Sequence, residues 1–433
     1  MSASQFTPSR DHNQTVSCRP FSVQVVASVA LQEHYNIAGA VSLTMPSKRK
    51  RCVDGDRANT LRWNSAPTVV GSAYGLLKTP GKRPLTVGSH CTGWATESLA
   101  LELLDLPHQH LFACDSEPKV EILLRRCFDI GIFFREACHP DSVALAPTVD
   151  IYLNGWPCQP LSNMGNRQGP ADHRSLVVDY MIRYLAQKLP RCFVLENVAS
   201  ALHSRHSAWM EAIMKTLKSI SERGSGEPAY ELFYDVCNSE GAGLPQRRKR
   251  LYIVGARKQF YGATHGNRNF WWPTPLLPRG MESFLDRNED GTLVVGDGAI
   301  SDPSLLNPTA MRNLLNMETQ LQEVGRDPSQ YHIIVDVAAS PTRQQFSVGT
   351  CPTITKHRGG GRGFYNTRLN RRLSVSEMIR FQGASPDRFL NAANEIGSTA
   401  MGEICGNAMS PPLVQRILQS LLPSVGLVHG SAW

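Results

Sequence analysis

Two patterns are missing from this sequence of 433 residues, and each absence argues against a class of protein. No run of about 18 uninterrupted apolar residues exists, so we predict no membrane-spanning helix. The eleven cysteines contain no Cys-x-x-Cys pair and no regular spacing, which argues against a zinc site and a disulfide framework. We therefore predict no bound metal and a reducing environment.

Acidic residues are also scarce in one segment. Between Pro341 and Arg380, Glu377 is the one acid against eight lysines and arginines. With a net charge of +8 for the whole chain, this imbalance favours a polyanionic partner. A hydrophobic content of 41% and a charged content of 19% are typical of a globular protein with an ample core.

The first 82 residues are polar, Ser-rich and basic without sustained periodicity, so we predict a poorly ordered N-terminal extension over residues 1–82. Within it, Lys48-Arg49-Lys50-Arg51 is typical of a nuclear import signal, with a solvated basic linker as the alternative. We predict a nuclear location from this run alone. An organelle-targeting segment stays open, because the first thirty residues contain two arginines and one aspartate.

From Leu85 onward, apolar strand patterns alternate with amphipathic helix patterns. Helices are predicted from about Pro118, over 175–188, over 209–220, over 373–381 and over 412–421. This alternation predicts an α/β fold with a largely parallel sheet covered on both faces. The rhythm stops near Arg257 and returns near Leu373, so the chain is divided into a main domain (83–256), a smaller region (257–370) and a returning part of the main domain (371–425).

Reactive residue types follow the predicted core strands. Cys158 comes one turn after the run 149–153, Glu196 ends the run that starts at Cys192, and Arg248 and Arg250 precede Leu251–Val254. Ligands bind at strand ends in open α/β sheets, so a thiol, a carboxylate and guanidinium groups are expected to meet there. This combination favours an enzyme over a passive binding module.

These segments, in this order, resemble the DNA (cytosine-5) methyltransferase family. The resemblance covers roughly residues 85–420 and rests on five motifs: Trp156-Pro157-Cys158-Gln159-Pro160-Leu161-Ser162, Cys192–Val198 with Glu196-Asn197-Val198, Gln246-Arg247-Arg248-Lys249-Arg250, Asn370–Gly383, and Gly406-Asn407-Ala408-Met409 with Pro411-Pro412. It implies an S-adenosylmethionine-dependent methyltransferase fold, a mixed Rossmann-like sheet, with a small target-recognition region at 257–370. It also implies methylation of cytosine carbon 5 in DNA.

The resemblance assigns four catalytic residues. Cys158 is implied to be the nucleophile that adds to carbon 6 of a flipped cytosine, and Glu196 to bind N3 and the exocyclic amine. Arg250 is implied to meet the base carbonyl oxygen, and Arg248 to hold the cysteine loop. The alternatives are a buried structural cysteine for Cys158, a surface turn acid for Glu196 and a solvated basic patch for the two arginines.

For the cofactor, S-adenosyl-L-methionine, the resemblance implies Gly93, Asp115 and Asn407, with Asp115 accepting from both ribose hydroxyls. An acid that favours a helix dipole is the alternative for Asp115. The family's first motif is Asp-x-Phe-x-Gly-x-Gly-Gly, whereas residues 89–96 read Ser-His-Cys-Thr-Gly-Trp-Ala-Thr. Side chains at Ala95 and Thr96 are expected to restrict the approach of the cofactor. For the third-motif acid, Glu136 and Asp141 are both candidates.

Contact with DNA is predicted for five residues: Gln159, Gln246, Lys356, Arg358 and Arg362. The last three belong to a Gly-rich, cationic stretch from Thr355 to Tyr365, which we predict to be flexible and to offer aromatic rings for stacking. An ordinary surface loop is the alternative. The base must leave its stack, and phosphate contacts would offset that cost.

Two other functions stay open. The first is an RNA cytosine-5 methyltransferase; the family's transfer-RNA branch carries Cys-Phe-Thr, whereas Cys351-Pro352-Thr353 stands here and favours DNA. The second is a nucleic-acid-binding scaffold that has lost its cofactor, which the altered first motif supports and the complete catalytic set opposes.

Overall fold

The structure is a computed structural model that describes residues 77–78, 83–157, 176–262, 269–277, 279–296, 307–340, 346–360 and 363–430. The predicted extension, with Lys48–Arg51, lies outside these residues apart from positions 77 and 78. Cys158, Gln159 and Arg362 also lie outside them.

The strands, in chain order, are β1 (Leu77–Lys78), β2 (Leu85–His90), β3 (His108–Cys114), β4 (Ile130–Phe134), β5 (Ile151–Asn154), β6 (Cys192–Val198), β7 (Tyr230–Asn238), β8 (Lys249–Arg257), β9 (Ile333–Asp336), β10 (Phe346–Val348), β11 (Phe364–Asn366), β12 (Arg371–Arg372) and β13 (His429–Gly430). The helices are α1 (Thr96–Leu103), α2 (Pro118–Cys127), α3 (Asp141–Ala144), α4 (Leu176–Lys188), α5 (Ser207–Ser219), α6 (Pro308–Glu323), α7 (Lys356–Gly359), α8 (Val375–Phe381), α9 (Leu390–Ile396), α10 (Ser398–Asn407) and α11 (Pro411–Ser424). The predicted helices correspond to α2, α4, α5, α8 and α11 and are confirmed.

A seven-stranded sheet forms the centre, in the order β4-β3-β2-β5-β6-β8-β7. Strands β4, β3, β2, β5 and β6 run parallel to one another, whereas β8 is antiparallel to both β6 and β7. The short apolar runs of β5, β6 and β8 are buried on both faces, as central strands require. The predicted mixed α/β sheet is confirmed.

Side chains alternate between two helical layers because successive strand residues point to opposite faces. Tyr152 and Phe193 pack with α4 and α5 on one face. Ile151 and Val194 pack with α1 and α11 on the other. The returning segment thereby contributes α11 to the main core.

A second, four-stranded antiparallel sheet has the order β10-β9-β11-β12, with α6 packed on it. Its strand β9 also contributes Ile334 to a core shared with Trp94, Leu123 and Leu373. The region 257–370 is thus joined to the main domain by common apolar packing. Its assignment to target recognition stays a prediction.

The predicted flexible stretch Thr355–Tyr365 is not a free loop where the structure describes it. Lys356–Gly359 forms α7, and Phe364 and Tyr365 are buried in β11 and unavailable for stacking on bases. The glycine content has a packing reason: a Cβ on Gly359 would lie 1.8 Å from the carbonyl oxygen of Gly402 in α10. Only hydrogen at these positions allows the two helices to approach so closely.

Replacement of Gly359 by alanine is expected to lower the free energy of unfolding by more than about 2 kcal/mol, because backbone atoms cannot move aside as a flexible side chain can. Gly360→Ala is the matched control, since a Cβ there would meet Thr399 Cγ2 at 3.4 Å, an ordinary contact. Urea denaturation measures both; equal stability of the two variants would contradict the close-approach argument.

Candidate active site

The carboxyl ends of β2, β3, β5 and β6 meet at one edge of the sheet because these strands are parallel. That edge carries the loop after His90, Asp115 after β3, Gly155 after β5, and Glu196 near the end of β6. Predicted cofactor and catalytic residues from four separate segments are therefore neighbours in space. This is the general position of ligands in open α/β sheets.

Glu196 and Arg250 form an ion pair across β6 and β8. Arg250 Nε lies 3.0 Å from Glu196 Oε1, and the two side chains are 14% and 9% exposed. The pairing follows from the antiparallel register, in which Val198 is opposite Arg250. Glu196 Oε1 is buried and has no aligned hydrogen-bond donor among the described residues. The carboxylate is thus charge-compensated and keeps the capacity to accept a hydrogen bond.

The segment predicted to carry the nucleophile begins beside this ion pair. A Cβ placed on Gly155 would lie 3.5 Å from Glu196 Oε2, an ordinary contact distance, so the end of β5 is a direct neighbour of the carboxylate. Asn197 Nδ2 donates to the carbonyl oxygen of Trp156 at 3.3 Å, which fixes the chain just before Pro157. Cys158 follows one residue later, outside the described residues.

Arg248 and Gln246 lie inside the protein. Arg248 Nη1 donates to the carbonyl oxygens of Ile354 at 2.8 Å and Gly406 at 3.2 Å. Gln246 is fully buried; its Nε2 donates to Gln382 Oε1 at 2.9 Å and its Oε1 accepts from the amide of Ile354 at 3.1 Å. For Gln246 the structure gives internal contacts in place of the predicted contact with DNA, because its amide group is used by Gln382 and by the backbone of Ile354 and Phe381.

The loop between β2 and α1 has an unusual backbone. Cys91, Gly93 and Ala95 have φ of 54°, 56° and 60°, so three residues of five are left-handed. A non-glycine residue in this region costs roughly 1–3 kcal/mol. Nothing lies within 4 Å of a Cβ built on Gly93, so its backbone is open to a ligand. The Cys91–Ala95 loop therefore has an open backbone at Gly93, called the cradle below, although the family pattern has glycine where Ala95 and Thr96 stand here.

Ala95 and Thr96 do not narrow this cradle, contrary to expectation. Both side chains are buried in the protein rather than directed at the open side of the loop. Thr96 Oγ1 accepts from Trp94 Nε1 at 2.9 Å and donates to the carbonyl oxygen of Met409 at 3.3 Å. The side chains of Ala95 and Thr96 thus pack inside the protein, away from the open backbone of Gly93.

Asp115 holds the same loop. Its Oδ2 accepts from the amide of Gly93 at 2.9 Å and its Oδ1 from the amide of Glu117 at 3.0 Å. Burial raises the pKa of Asp115, and these two hydrogen bonds oppose the shift. The carboxylate, a partly buried acceptor beside an open backbone, fits the polar part of a nucleoside ligand.

Lys356 and Arg358 are engaged by acids of the protein. Lys356 Nζ lies 3.5 Å from Glu117 Oε2, and its charge also lowers the pKa of Asp115. Arg358 Nε donates to Asp336 Oδ2 at 2.8 Å. Lys356 is therefore a neighbour of the predicted cofactor residues, a position that its basic sequence context did not indicate.

The two candidates for the third-motif acid differ in their surroundings. Glu136 is exposed and contributes to raising the pKa of Cys91 in the loop after β2. Asp141 begins α3, and its neighbour is His139 at 3.6 Å. Position therefore favours Glu136. Asn407 is exposed at the end of α10, and the nearby Met409 contacts the β2–α1 loop through Thr96.

One buried polar cluster next to the site was not predicted from the sequence. Glu97 in α1 is completely buried, receives a hydrogen bond from Ser89 Oγ, and lies 3.3 Å from His110 Nε2. Burial raises the pKa of Glu97 to about 7 and lowers the pKa of His110 to about 3. An acid on the first turn of an apolar helix is a signal of such burial, but it is equally typical of a helix-dipole partner.

Within the described parts of the chain, no three His, Cys, Asp or Glu side chains form a group able to hold a metal ion. None of the described helices combines the length and apolar content that a membrane crossing requires.

Comparison with solved structures defines the class of fold. The S. pombe Dnmt2 methyltransferase superposes with a TM-score of 0.51 at 16% identity, covering 78% of this chain and 98% of the other. The Entamoeba histolytica methyltransferase EhMeth gives 0.53 at 15% identity, covering 79% and 99%. The fold is that of α/β methyltransferases.

The family follows from the sequence comparison. The model of C-5 cytosine-specific DNA methylases matches residues 118–422, and this chain belongs to that family. Type II methyltransferase M.NgoBI of Neisseria gonorrhoeae is 26% identical over 284 residues, 64% of this chain and 76% of the relative. M.BsuFI of Bacillus subtilis is 39% identical over 160 residues, 34% of this chain. The matched part spans only 37% of the length of M.BsuFI.

Glu97→Gln is expected to remove a pH dependence of stability. Since the pKa of Glu97 is raised from 4.5 to about 7 on folding, the folded state binds more protons between these values, and the free energy of unfolding falls as pH rises. Wild-type protein should lose stability relative to the variant up to about pH 7 and no further. The buried His110 is common to both proteins, so its contribution largely cancels. Urea unfolding between about pH 5 and pH 8 measures the difference; a constant difference would contradict the assignment.

Proposed function

We propose that this protein transfers a methyl group from S-adenosyl-L-methionine to carbon 5 of cytosine in DNA. The observation that carries the proposal is the Glu196–Arg250 ion pair beside Gly155, at the start of the segment that leads to Cys158. A charge-compensated carboxylate at this edge of the sheet suits recognition of a base edge. Membership of the C-5 cytosine-specific DNA methylase family supports the same substrate.

Carbon 5 of cytosine is a weak nucleophile, so the reaction needs covalent activation. The Cys158 thiolate adds its electron pair to carbon 6, the 5,6 double bond shifts, and carbon 5 gains enamine character. Carbon 5 would then accept the methyl group that the bound cofactor supplies, and the cofactor would leave as the neutral thioether. Water or a side chain takes the carbon 5 proton while the carbon 6–sulfur bond breaks, which restores the 5,6 double bond and frees the Cys158 thiolate. Free thiols titrate near about 8.5, so cationic neighbours are needed to raise the thiolate fraction at neutral pH.

Glu196 binds and activates the target cytosine. Its carboxyl group binds the exocyclic amine and shares a proton with N3, which makes carbon 6 more electrophilic. Arg250 fixes the carboxyl group and offers its remaining N–H groups to the base carbonyl oxygen. Arg248, with its carbonyl contacts at Ile354 and Gly406, acts through the position of its neighbours.

The cofactor would be held by the loop between β2 and α1. The sulfonium group of the cofactor supplies the methyl group. Asp115 accepts hydrogen bonds from the ribose, the open backbone at Gly93 receives the methionine portion, and Asn407 closes the site from α10. Lys356, paired with Glu117, balances the acidic charge around Asp115.

DNA is the preferred substrate over RNA because Cys351-Pro352-Thr353 departs from the Cys-Phe-Thr of the transfer-RNA branch. Extrusion of the target base from the duplex costs a few kcal/mol, which phosphate contacts offset. A scaffold without cofactor is disfavoured, because the left-handed loop and its accepting Asp115 persist despite the changed residues. The nuclear location stays a prediction from residues 48–51, and the bacterial relatives give it no support.

Cys158→Ala is expected to abolish methyl transfer, because it removes the thiolate that forms the bond to carbon 6, while affinity for duplex DNA stays within about twofold. Cys127→Ala is the control, as its thiol lies outside the site and should leave the activity unchanged. Tritiated methyl transfer to DNA and to transfer RNA, assayed in parallel, measures both activity and substrate. Activity retained in Cys158→Ala, or methylation of transfer RNA alone, would refute the proposal.

Glu196→Gln keeps the shape of the side chain but removes the charge and the shared proton. The turnover number should fall about 10²-fold or more, with little change in DNA affinity. Glu231→Gln is a control with the same chemical change at an exposed position, where the carboxylate lies 3.8 Å from Lys258 Nζ. Covalent trapping on 5-fluorocytosine duplexes should become correspondingly slower in Glu196→Gln; an unchanged trapping rate would remove Glu196 from the mechanism.

A further inference from the structure

The buried carboxylate of Glu97 has no part in the chemistry described above. It is 0% exposed, and its Oε2 finds no hydrogen-bond donor among the described residues. Burial of a carboxylate is costly unless its partners compensate. Its partners, Ser89 and His110, come from the ends or interiors of the strands that carry the predicted cofactor residues.

The hydroxyls next to Glu97 form a directed chain of hydrogen bonds. The amide of Cys114 donates to Thr92 Oγ1 at 2.9 Å, and the hydroxyls of Thr92 and Ser89 are 2.8 Å apart. Ser89 Oγ donates to Glu97. Ser89 Oγ donates to the carboxyl group, so Thr92 Oγ1 is the donor in the contact between the two hydroxyls, and its proton is shared with the carbonyl oxygens of Ser89 at 3.3 Å and Cys114 at 3.2 Å.

These hydrogen bonds connect Glu97 to the Cys91–Ala95 loop and to the end of β3. Thr92 lies in the left-handed loop, and its amide also donates to the carbonyl oxygen of Cys114 at 3.0 Å. The next residue after Cys114 is Asp115, which accepts from the amide of Gly93. The carboxylate in α1 thus holds the loop and the end of β3 in one arrangement.

The family pattern has aspartate at the position of Ser89 and glycine at the position of Ala95. In this chain the strand end carries Ser89, and the hydroxyl of Ser89 contacts a carboxylate that comes from α1. His110 of β3 is a neighbour of this carboxylate: Nε2 lies 3.3 Å from Glu97 Oε1, and Nδ1 lies 3.0 Å from Ser98 Oγ.

We propose that Glu97 is a positioning residue for the cofactor, whose relocated carboxylate fixes the Cys91–Ala95 loop against Asp115 in place of the family's aspartate. The proposal rests on the proposed function, since it names how that site holds S-adenosylmethionine. It predicts that the carboxylate can be moved back to position 89 without loss of cofactor affinity.

Calorimetric titration with S-adenosylmethionine at about pH 8, above the pKa of Glu97, tests this exchange. Glu97→Gln should weaken cofactor binding about tenfold, the cost of one charge-assisted hydrogen bond. Ser89→Asp alone should weaken it at least as much, because two carboxylates would then meet in a buried space. The double variant Ser89→Asp with Glu97→Gln should recover to within about threefold of wild type, a strong coupling between the two sites.

Glu102→Gln is the matched control on the same helix, since Glu102 is exposed and pairs with Arg388 at the surface. Duplex DNA affinity, measured by fluorescence anisotropy, should stay within about twofold for all variants. A general loss of structure would lower both affinities together and would overturn the positioning role. Unchanged cofactor affinity in Glu97→Gln, or no recovery in the double variant, would overturn it as well.

Amide hydrogen exchange separates this inference from the proposed function. Glu97→Gln should speed exchange at the amides of Thr92 and Ala95, which donate to Cys114 and Thr92 within the loop, even if wild type does not bind S-adenosylmethionine. Failure of wild type to bind the cofactor would refute the proposed function, and the exchange rates would still decide the role of Glu97. Equal rates in wild type and variant would refute it.

Discussion

The ion pair between Glu196 and Arg250 is the interaction on which the candidate active site depends. Parallel strands deliver Glu196 and the segment leading to Cys158 to one edge of the sheet. An arginine reaches that edge because β8 runs in the opposite direction, so that residues at its beginning face the end of β6. The antiparallel direction of β8 relative to β6 therefore brings the arginine to the candidate active site.

The cofactor side is held together by a different set of forces. Two non-glycine residues in left-handed conformations make the β2–α1 loop costly to form. The stacking of Trp94 on Phe389, 5.5 Å apart and nearly parallel, and the hydrogen-bond chain ending at Glu97 offset that cost. The changed motif is consequently compatible with a left-handed loop whose backbone is open at Gly93.

The cationic stretch near residue 356 shows where local patterns mislead. Glycine and arginine content predicts a flexible, solvated segment, yet Gly359 is required for contact with Gly402, and Arg358 pairs with Asp336. The sequence alone does not distinguish a glycine that makes a segment flexible from one that allows close packing of two backbones. Only the neighbouring helix, more than forty residues away in the chain, distinguishes the two cases.

From its amino-acid order alone, the chain determined the α/β rhythm, the main helices and the appearance of a thiol, a carboxylate and guanidinium groups at strand ends, because these follow from local periodicity and chain direction. The tertiary structure decided which groups meet: Arg250 with Glu196, Gln246 with the interior, and Glu97 with Ser89 and His110. Burial and hydrogen-bond partners depend on strand register and helix packing, which join segments distant in the chain.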